Sequence, residues 1–387
     1  MKKVLALVLA VLMIVSMCAC SSVKKEATVE TIKIGLAFPM SGTAAMAGKY
    51  STHGADVLKE ELGGKITVGD KEYPVEFVTM DTEGSEEKTT NVFQKLIEEE
   101  KVIAIVGPDS SKCTLAAAPI AQNAKCPAIT TFGTNTAVTE VGNYIFRACF
   151  IDPYQGEKMA TYASEKLGAK TAAVFYQTGN DYSEGLMNAF VEKAKALGIE
   201  IVDSEAFAEG DKDFKAQMTN IAAAAPDVVF APIYYAEAGL AITAARAAGC
   251  TATFMGGDGF GSVKNYASAD DLEGSVYCSG YAPGTDSVKQ FEEDYKAAYN
   301  VDEIPNMFAP LAYDAAMLLC EGLKAAEAQG LTAGTEEYKQ AVIDAIKTMD
   351  GTEGITGSYA FDEFNNPIKP VAIIELTGGN EVYQEMF

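Results

Sequence analysis

The feature that most constrains this chain is a regular alternation of apolar runs and helix-patterned stretches. TIKIGLAF (31–38), YPVEFVTM (73–80), VIAIVG (102–107) and PAITT (127–131) have the apolar character of buried parallel strands. Four similar runs follow: TAAVFYQ (171–177), IEIVDSEAF (199–207), DVVFAPIY (227–234) and TATFMGG (251–257). Between them lie amphipathic stretches such as SEEKTTNVFQKLIEEE (85–100) and SEGLMNAFVEKAKALG (183–198), the second ending on a glycine, a common helix stop. Strand–helix–strand alternation predicts doubly wound parallel sheets covered by helices on both faces. Two sets of four strands, separated by the segment YIFRACFIDP (144–153), predict an α/β protein of two similar lobes, with that segment as a connection between them. A length of 387 residues, 48% hydrophobic, supplies cores for such domains.

The first residues belong to a different physical class. Lys2 and Lys3 precede an apolar run from Val4 to Val15. A membrane-spanning helix needs about 20 residues, so the run has the layout of a secretory signal. It ends Met17-Cys18-Ala19-Cys20-Ser21-Ser22. A cysteine after a small residue at this place resembles the lipobox of bacterial lipoproteins, in which that cysteine is acylated and becomes the new N-terminus. The reading is a signal peptide over 1–19, lipidation at Cys20 and a tether over 20–30, with ordinary cleavage near Ala19 as the alternative. The formal charge is −24, and losing Lys2 and Lys3 takes it to −26. So acidic a chain is repelled by nucleic acid and by anionic lipid. Beyond Cys18 and Cys20, cysteines stand at 113, 126, 149, 250, 278 and 320, with no CxxC and no short even spacing. They name no disulfide pair and read as small buried apolar residues.

In doubly wound sheets, ligands bind beyond the carboxyl ends of the strands, where helix N-termini face a crevice. Those positions hold hydroxyls, glycines and aromatics here, with one conspicuous carboxylate, Asp258. The single histidine, His53, lies in the helical stretch GKYSTHGADVLKEEL and reads as structural, which removes most metal and acid–base constellations. Without a second histidine or a GxSxG elbow, Ser111 has no base and is a poor nucleophile. GGDGFG (256–261) fails the GxGxxG spacing of a dinucleotide loop, and Tyr154 with Lys158 stands at a YxxxK spacing without the glycine-rich loop that would support it. No enzyme, cofactor or metal is expected.

Binding remains. The first turn of a helix offers unpaired N–H groups and a positive dipole end to an anion, and GPDSSKCTLAAAPIAQ opens a helix with Ser110 and Ser111 after the third strand. An ammonium needs acceptors: the Asp258 carboxylate, the Thr134 hydroxyl and the Phe132 carbonyl are candidates. A small zwitterion between the lobes is matched at both ends by such a set. Asp258 also reads as a turn residue in Gly-Asp-Gly.

The order and wording of these segments resembles the substrate-binding proteins of branched-chain amino acid ABC transporters, of the type I periplasmic-binding-protein fold. The resemblance runs from TIKIGLAFPMSG through GPDSSKCTLAAAPIA, TTFGTNTAVT, FRACFIDPYQGE, DYSEGL, APIYYAEAG, FMGGDGF and FAPLAYDAA to DGTEGITGSYAFDEFNNPIKP. It implies two lobes joined by a three-crossing hinge: 31–151 with 283–358, and 152–282 with 359–387. It further implies that Ser111, with Ser110 and nearby amides, binds a carboxylate. Phe132, Gly133 and Thr134 line the next loop, Tyr182 and Tyr234 close the second lobe over the ligand, Asp258 meets the ammonium, and Phe308 lines the side-chain pocket.

Three positions depart from the family pattern. A tyrosine common after the first strand falls at Ala47, and Phe132 with Gly133 replaces smaller or different residues. Asp109 stands where an apolar residue is usual. Facing the cleft, it would favour a polar or cationic ligand; capping the helix, it would be structural, and the cap is the expected role. The resemblance implies an exported, monomeric lipoprotein on the outer face of the membrane that captures an amino acid, Leu, Ile or Val first, and delivers it to ABC permease subunits. A sensor of amino acids or amides acting with a separate signalling partner is the alternative.

Overall fold

The computed structural model describes residues 31–302 and 306–387. The expected signal peptide, Cys20 and the tether lie outside the described residues. The first half runs β1 (Ile32–Phe38), α1 (Ala45–Glu61), β2 (Lys65–Val68), β3 (Lys71–Asp81), α2 (Glu86–Glu98), β4 (Ala104–Val106), α3 (Ser111–Asn123), β5 (Ala128–Thr130), α4 (Ala137–Glu140) and β6 (Ile145–Arg147). Next come α5 (Asp152–Glu165), β7 (Thr171–Gln177), α6 (Asp181–Ala196), β8 (Glu200–Phe207), α7 (Lys215–Ala224), β9 (Val228–Phe230), α8 (Tyr235–Ala247), β10 (Thr253–Gly256), α9 (Ala269–Leu272) and β11 (Val276–Ser279). The chain ends with α10 (Lys289–Tyr299), α11 (Phe308–Ala328), α12 (Glu336–Lys347), β12 (Asp350–Gly354), β13 (Gly357–Ala360), β14 (Ala372–Thr377) and β15 (Asn380–Met386).

Two sheets carry the two lobes. The first has the order β2-β3-β1-β4-β5-β6 and the second β15-β14-β11-β10-β9-β7-β8. All eight apolar runs read from the sequence form strands in these sheets, and their mutual pairings are parallel. The central strands are short and wholly buried, as in β4 and β9, which is why they read as unbroken apolar runs. The sheets are not purely parallel. β2 pairs with β3 antiparallel, and β14 pairs antiparallel with both β11 and β15.

The segment at 144–153 is more than a connection. Ile145 to Arg147 forms β6, the edge strand of the first sheet, and only the residues after it pass to the second lobe. The chain crosses again after β11 and a third time before β14. Tyr359 and Lys369 still bond to first-lobe groups, so that third passage follows Lys369. The expected boundary at 358 falls inside β13.

These crossings share a buried polar knot. Asp314 on α11 accepts from the Ile355 and Thr356 amides at 2.7 and 2.9 Å and from the Tyr359 hydroxyl at 2.9 Å. Lys369 donates to the Thr356 and Tyr359 hydroxyls and to the Ala148 carbonyl on the first crossing. Both charged residues are buried, and neutral hydroxyls bridge them. His53 is a packing residue, as expected: it stacks on Tyr299 at 3.5 Å and bonds Tyr295 at 3.0 Å. Cys113, Cys126, Cys149, Cys250, Cys278 and Cys320 are buried free thiols.

Candidate functional site

On the first lobe, the chain leaves β4 and starts α3 with two serines, Ser110 and Ser111. Ser110 is the N-cap, its Oγ accepting the Cys113 amide at 3.3 Å. Ser111 is the first helical residue, and its Oγ accepts the Asn135 amide at 3.1 Å. That bond occupies a lone pair and leaves the Ser111 proton to donate elsewhere. Asp109 does not cap the helix, contrary to the sequence expectation, because Ser110 already does. The Asp109 carboxylate turns instead to the Thr131 hydroxyl at 2.5 Å and the Ser51 hydroxyl at 3.3 Å.

The loop after β5 is held from beneath. Gly133 donates to Thr130 Oγ1 at 3.0 Å, and a β-carbon at Gly133 would lie 2.7 Å from that oxygen, so the turn needs glycine. Arg147, wholly buried at the end of β6, spreads its guanidinium over this loop. It donates to the carbonyls of Gly133 at 2.5 Å and Asn135 at 2.8 Å, and to Thr139 Oγ1 at 3.1 Å. Thr134 Oγ1 is buried without an aligned hydrogen bond. It lies near enough to Asp152 to ease that carboxyl's ionisation.

On the second lobe, Asp258 sits on a tight 3-10 turn after β10. The glycines around it have a steric purpose beyond the turn. A β-carbon at Gly257 would lie 2.4 Å from Leu186 Cδ2, and one at Gly259 would lie 2.8 Å from the Tyr182 hydroxyl. Tyr182 therefore reaches the loop, and its hydroxyl accepts the Gly259 amide at 3.0 Å. The Tyr182 ring stacks on Tyr234 with centroids 5.1 Å apart. Stacking of this kind contributes about 1 kcal/mol beyond burial and fixes both rings.

Sequence reasoning missed Asp152, Gln155 and Arg147. Gln155 donates to Asp152 Oδ1 and accepts the Asp258 amide, each at 3.1 Å. Asp152 thus lies beside Asp258, and its Oδ2 is buried without a hydrogen-bond partner. Burial raises the Asp258 carboxyl to about 6, with Tyr182 and Gln155 opposing the rise. Burial raises Asp152 to about 8; the Thr134 hydroxyl and Arg147 ease its ionisation, while the Asp258 charge adds to the rise. Two neighbouring carboxyls held up in this way suit an incoming cation. The available signal was the lone arginine inside the apolar run YIFRACF, which marks a buried charge that must have partners.

The lobes meet across this cleft. Asn135, whose amide is bonded to Ser111, donates its side chain to the Asp181 carbonyl beside Tyr182 at 2.9 Å. Asn306 donates to Ser262 at 2.6 Å, and Lys112 pairs with Glu209 at 3.0 Å. At the apolar end, Phe308 packs on Phe132 with centroids 4.7 Å apart and on Tyr235 of the second lobe at 6.2 Å. Asn135 thus joins the Ser111 side of the first lobe to the turn that carries Tyr182, and Tyr182, Tyr234 and Asp258 stand together on the second lobe. Among the described residues, no group of three or more His, Cys, Asp or Glu is placed to hold a metal ion, and no helix is long and apolar enough to cross a membrane.

Known proteins share this fold. Residues 31–380 match the periplasmic binding protein family. The chain is 31% identical to the branched-chain amino acid transporter substrate-binding protein LivJ of Streptococcus pneumoniae, solved with isoleucine. That match covers 92% of this chain and 99% of that one, with a TM-score of 0.84. The leucine-binding protein LivK of Thermotoga maritima gives the same identity, coverage and TM-score. A leucine-, isoleucine-, valine-, threonine- and alanine-binding protein of Pseudomonas aeruginosa is 28% identical over 343 residues, 86% of each chain. With its two parallel-sheet lobes, three hinge crossings and these relatives, the chain belongs to the periplasmic binding protein family, in the group of ABC-transporter substrate-binding proteins rather than enzymes.

Proposed function

We propose that the protein is the extracytoplasmic substrate-binding component of an ABC importer and that it captures an α-amino acid between its lobes. What supports this reading is the direct contact of the lobes between Asn135, whose amide holds Ser111, and the turn before Tyr182, which puts a helix N-terminus and buried carboxyls on the two sides. The first turn of α3, with Ser110, Ser111 and its free amides, receives the carboxylate. Asp258, with Asp152 beside it and the Thr134 hydroxyl and Phe132 carbonyl facing them, receives the ammonium. Tyr182 and Tyr234 wall the second-lobe side, and Phe132, Gly133 and Phe308 line the path of the side chain. Closure brings the two sets to opposite ends of one molecule, which explains the direct contacts between lobes. Leucine, isoleucine and valine are the first ligands to test, because relatives of this chain bind them. The closed protein then docks on permease subunits as a monomer, anchored to the outer face of the membrane through an acylated Cys20.

A thermal-shift screen over the twenty amino acids tests the reading. A ligand at a hundred times its Kd stabilises the folded form by about 2.7 kcal/mol. No shift with any of them would overturn the proposal.

A further inference from the structure

Three carboxylates are buried around the cleft: Asp109, Asp152 and Asp258, exposed by 3, 1 and 2%. Arg147 is a cation beside Asp152, and its two terminal nitrogens donate to loop carbonyls. A zwitterion with an apolar side chain adds no net charge to this set. It uses Asp258 at the ammonium and leaves Asp109 with neutral neighbours only.

The surroundings of Asp109 are specific. Thr131, wholly buried, donates to Oδ1 at 2.5 Å. Ser51, wholly buried on α1, divides one proton between Oδ1 and Oδ2, each at 3.3 Å. A carboxylate accepts about four hydrogen bonds, so Oδ2 keeps capacity for a donor. Among the described residues no lysine or arginine pairs with Asp109. The titratable groups facing it are Tyr235 and Cys113, and burial keeps both neutral. Burial raises Asp109 itself to about 7, against the easing effect of Thr131 and Ser51.

Asp109 lies at the boundary between the lobes, where Tyr235 of the second lobe senses its charge. It stands two residues before Ser111, on the far side of that serine from the helix. Ala47 lies one helical turn before Ser51 on α1, and the Tyr235 hydroxyl reaches the Ala47 amide from the second lobe. Tyr235 in turn packs on Phe308, and Phe308 on Phe132. A buried carboxylate near Tyr235, whose ring packs on Phe308 and through it on Phe132, suits a cationic or N–H-bearing group.

We infer that Asp109 is a specificity-determining residue, and that it selects an amino acid whose side chain ends in a hydrogen-bond donor, an amine or guanidinium being the strongest match. This rests on the amino-acid reading above and narrows its ligand. An apolar side chain leaves the buried carboxylate unmatched and is disfavoured by it.

Isothermal titration at pH 8 tests this on the mature chain, with lysine, arginine, glutamine, threonine, leucine, isoleucine and valine. In the wild type a donor-bearing amino acid binds at least tenfold tighter than leucine. Asp109→Asn keeps the shape and erases most of that preference, while Asp109→Leu reverses it. Circular-dichroism melts accompany each variant, and if Asp109→Leu does not fold, Asp109→Asn alone decides. Leucine, isoleucine or valine binding the wild type as tightly as every donor-bearing ligand overturns the inference. So does an unchanged preference in a folded Asp109→Asn. Silence from every amino acid overturns the amino-acid reading and this inference with it.

Discussion

The Asp258 amide donates to Gln155 Oε1 at 3.1 Å, which ties the acidic loop of the second lobe to the first turn of α5 at the hinge. The other end of the same side chain holds Asp152. One neutral amide therefore sets the positions of two buried carboxyls. Replacing Gln155 by Ala leaves a buried amide and a buried carboxylate oxygen unpaired, each worth about 1–3 kcal/mol. The expected outcome is a lower melting temperature and a ligand affinity reduced about tenfold or more, read by calorimetry and titration.

Gly257 tests the approach of Tyr182. Its β-carbon position is crowded by Leu186, the Tyr182 hydroxyl and Gln155 at 2.4, 2.7 and 2.9 Å. Gly257→Ala must push the Asp258 loop away from these groups. Ligand binding should be lost while the far-UV spectrum is kept. Tyr182→Phe, which removes the acceptor for the Gly259 amide and the hydroxyl beside Asp258, should cost about 1–2 kcal/mol of stability.

The carboxyls of Asp258 and Asp152 are raised to about 6 and about 8 from an ordinary value of 3.8. Between pH 4 and 8 the folded, ligand-free protein therefore holds more protons at these sites than the unfolded chain. Their contribution to stability falls as pH rises through that window. An ammonium favours the ionised carboxyls, so binding releases protons. Affinity should rise from pH 5 to pH 8. Titrations in buffers of different ionisation enthalpy should report proton release that shrinks toward the upper end.

The hinge knot gives a stability prediction. Lys369→Met removes the buried cation that faces Asp314 through Thr356 and Tyr359, and should destabilise by about 3–5 kcal/mol. Pairing it with Asp314→Leu removes the stranded charge. The double variant should recover part of that loss in a denaturant titration, as a double-mutant cycle would show.

Much of this fold was legible because buried parallel strands are apolar on both faces. All eight runs from TIKIGLAF to TATFMGG became strands, with ends trimmed where the apolar run continued into a loop, as in DVVFAPIY. The antiparallel additions were harder to see. β2 is a four-residue KITV with one buried side chain, and β15 is NEVYQEM, whose alternating burial signals a half-exposed edge. Ser111, Thr134, Tyr182, Tyr234 and Asp258 could be picked out as candidates because each follows a strand end. Asp109 was misjudged because Asp109, Ser110 and Ser111 are three successive good caps, and sequence alone does not say which one takes the amide. Asp152 and Gln155 were missed because they begin a helix at a hinge, where a sequence shows an ordinary Asp-Pro start.

The central claim is that Asp258 holds the ammonium of an amino acid opposite the α3 N-terminus. Isothermal titration of wild type and Asp258→Ala with the tightest amino acid from the thermal screen tests it most directly, with melting curves confirming that both are folded. The wild type should bind with one site per chain, and Asp258→Ala should bind at least about a hundredfold more weakly, a loss of about 3 kcal/mol. Equal affinity for the two proteins would contradict the account.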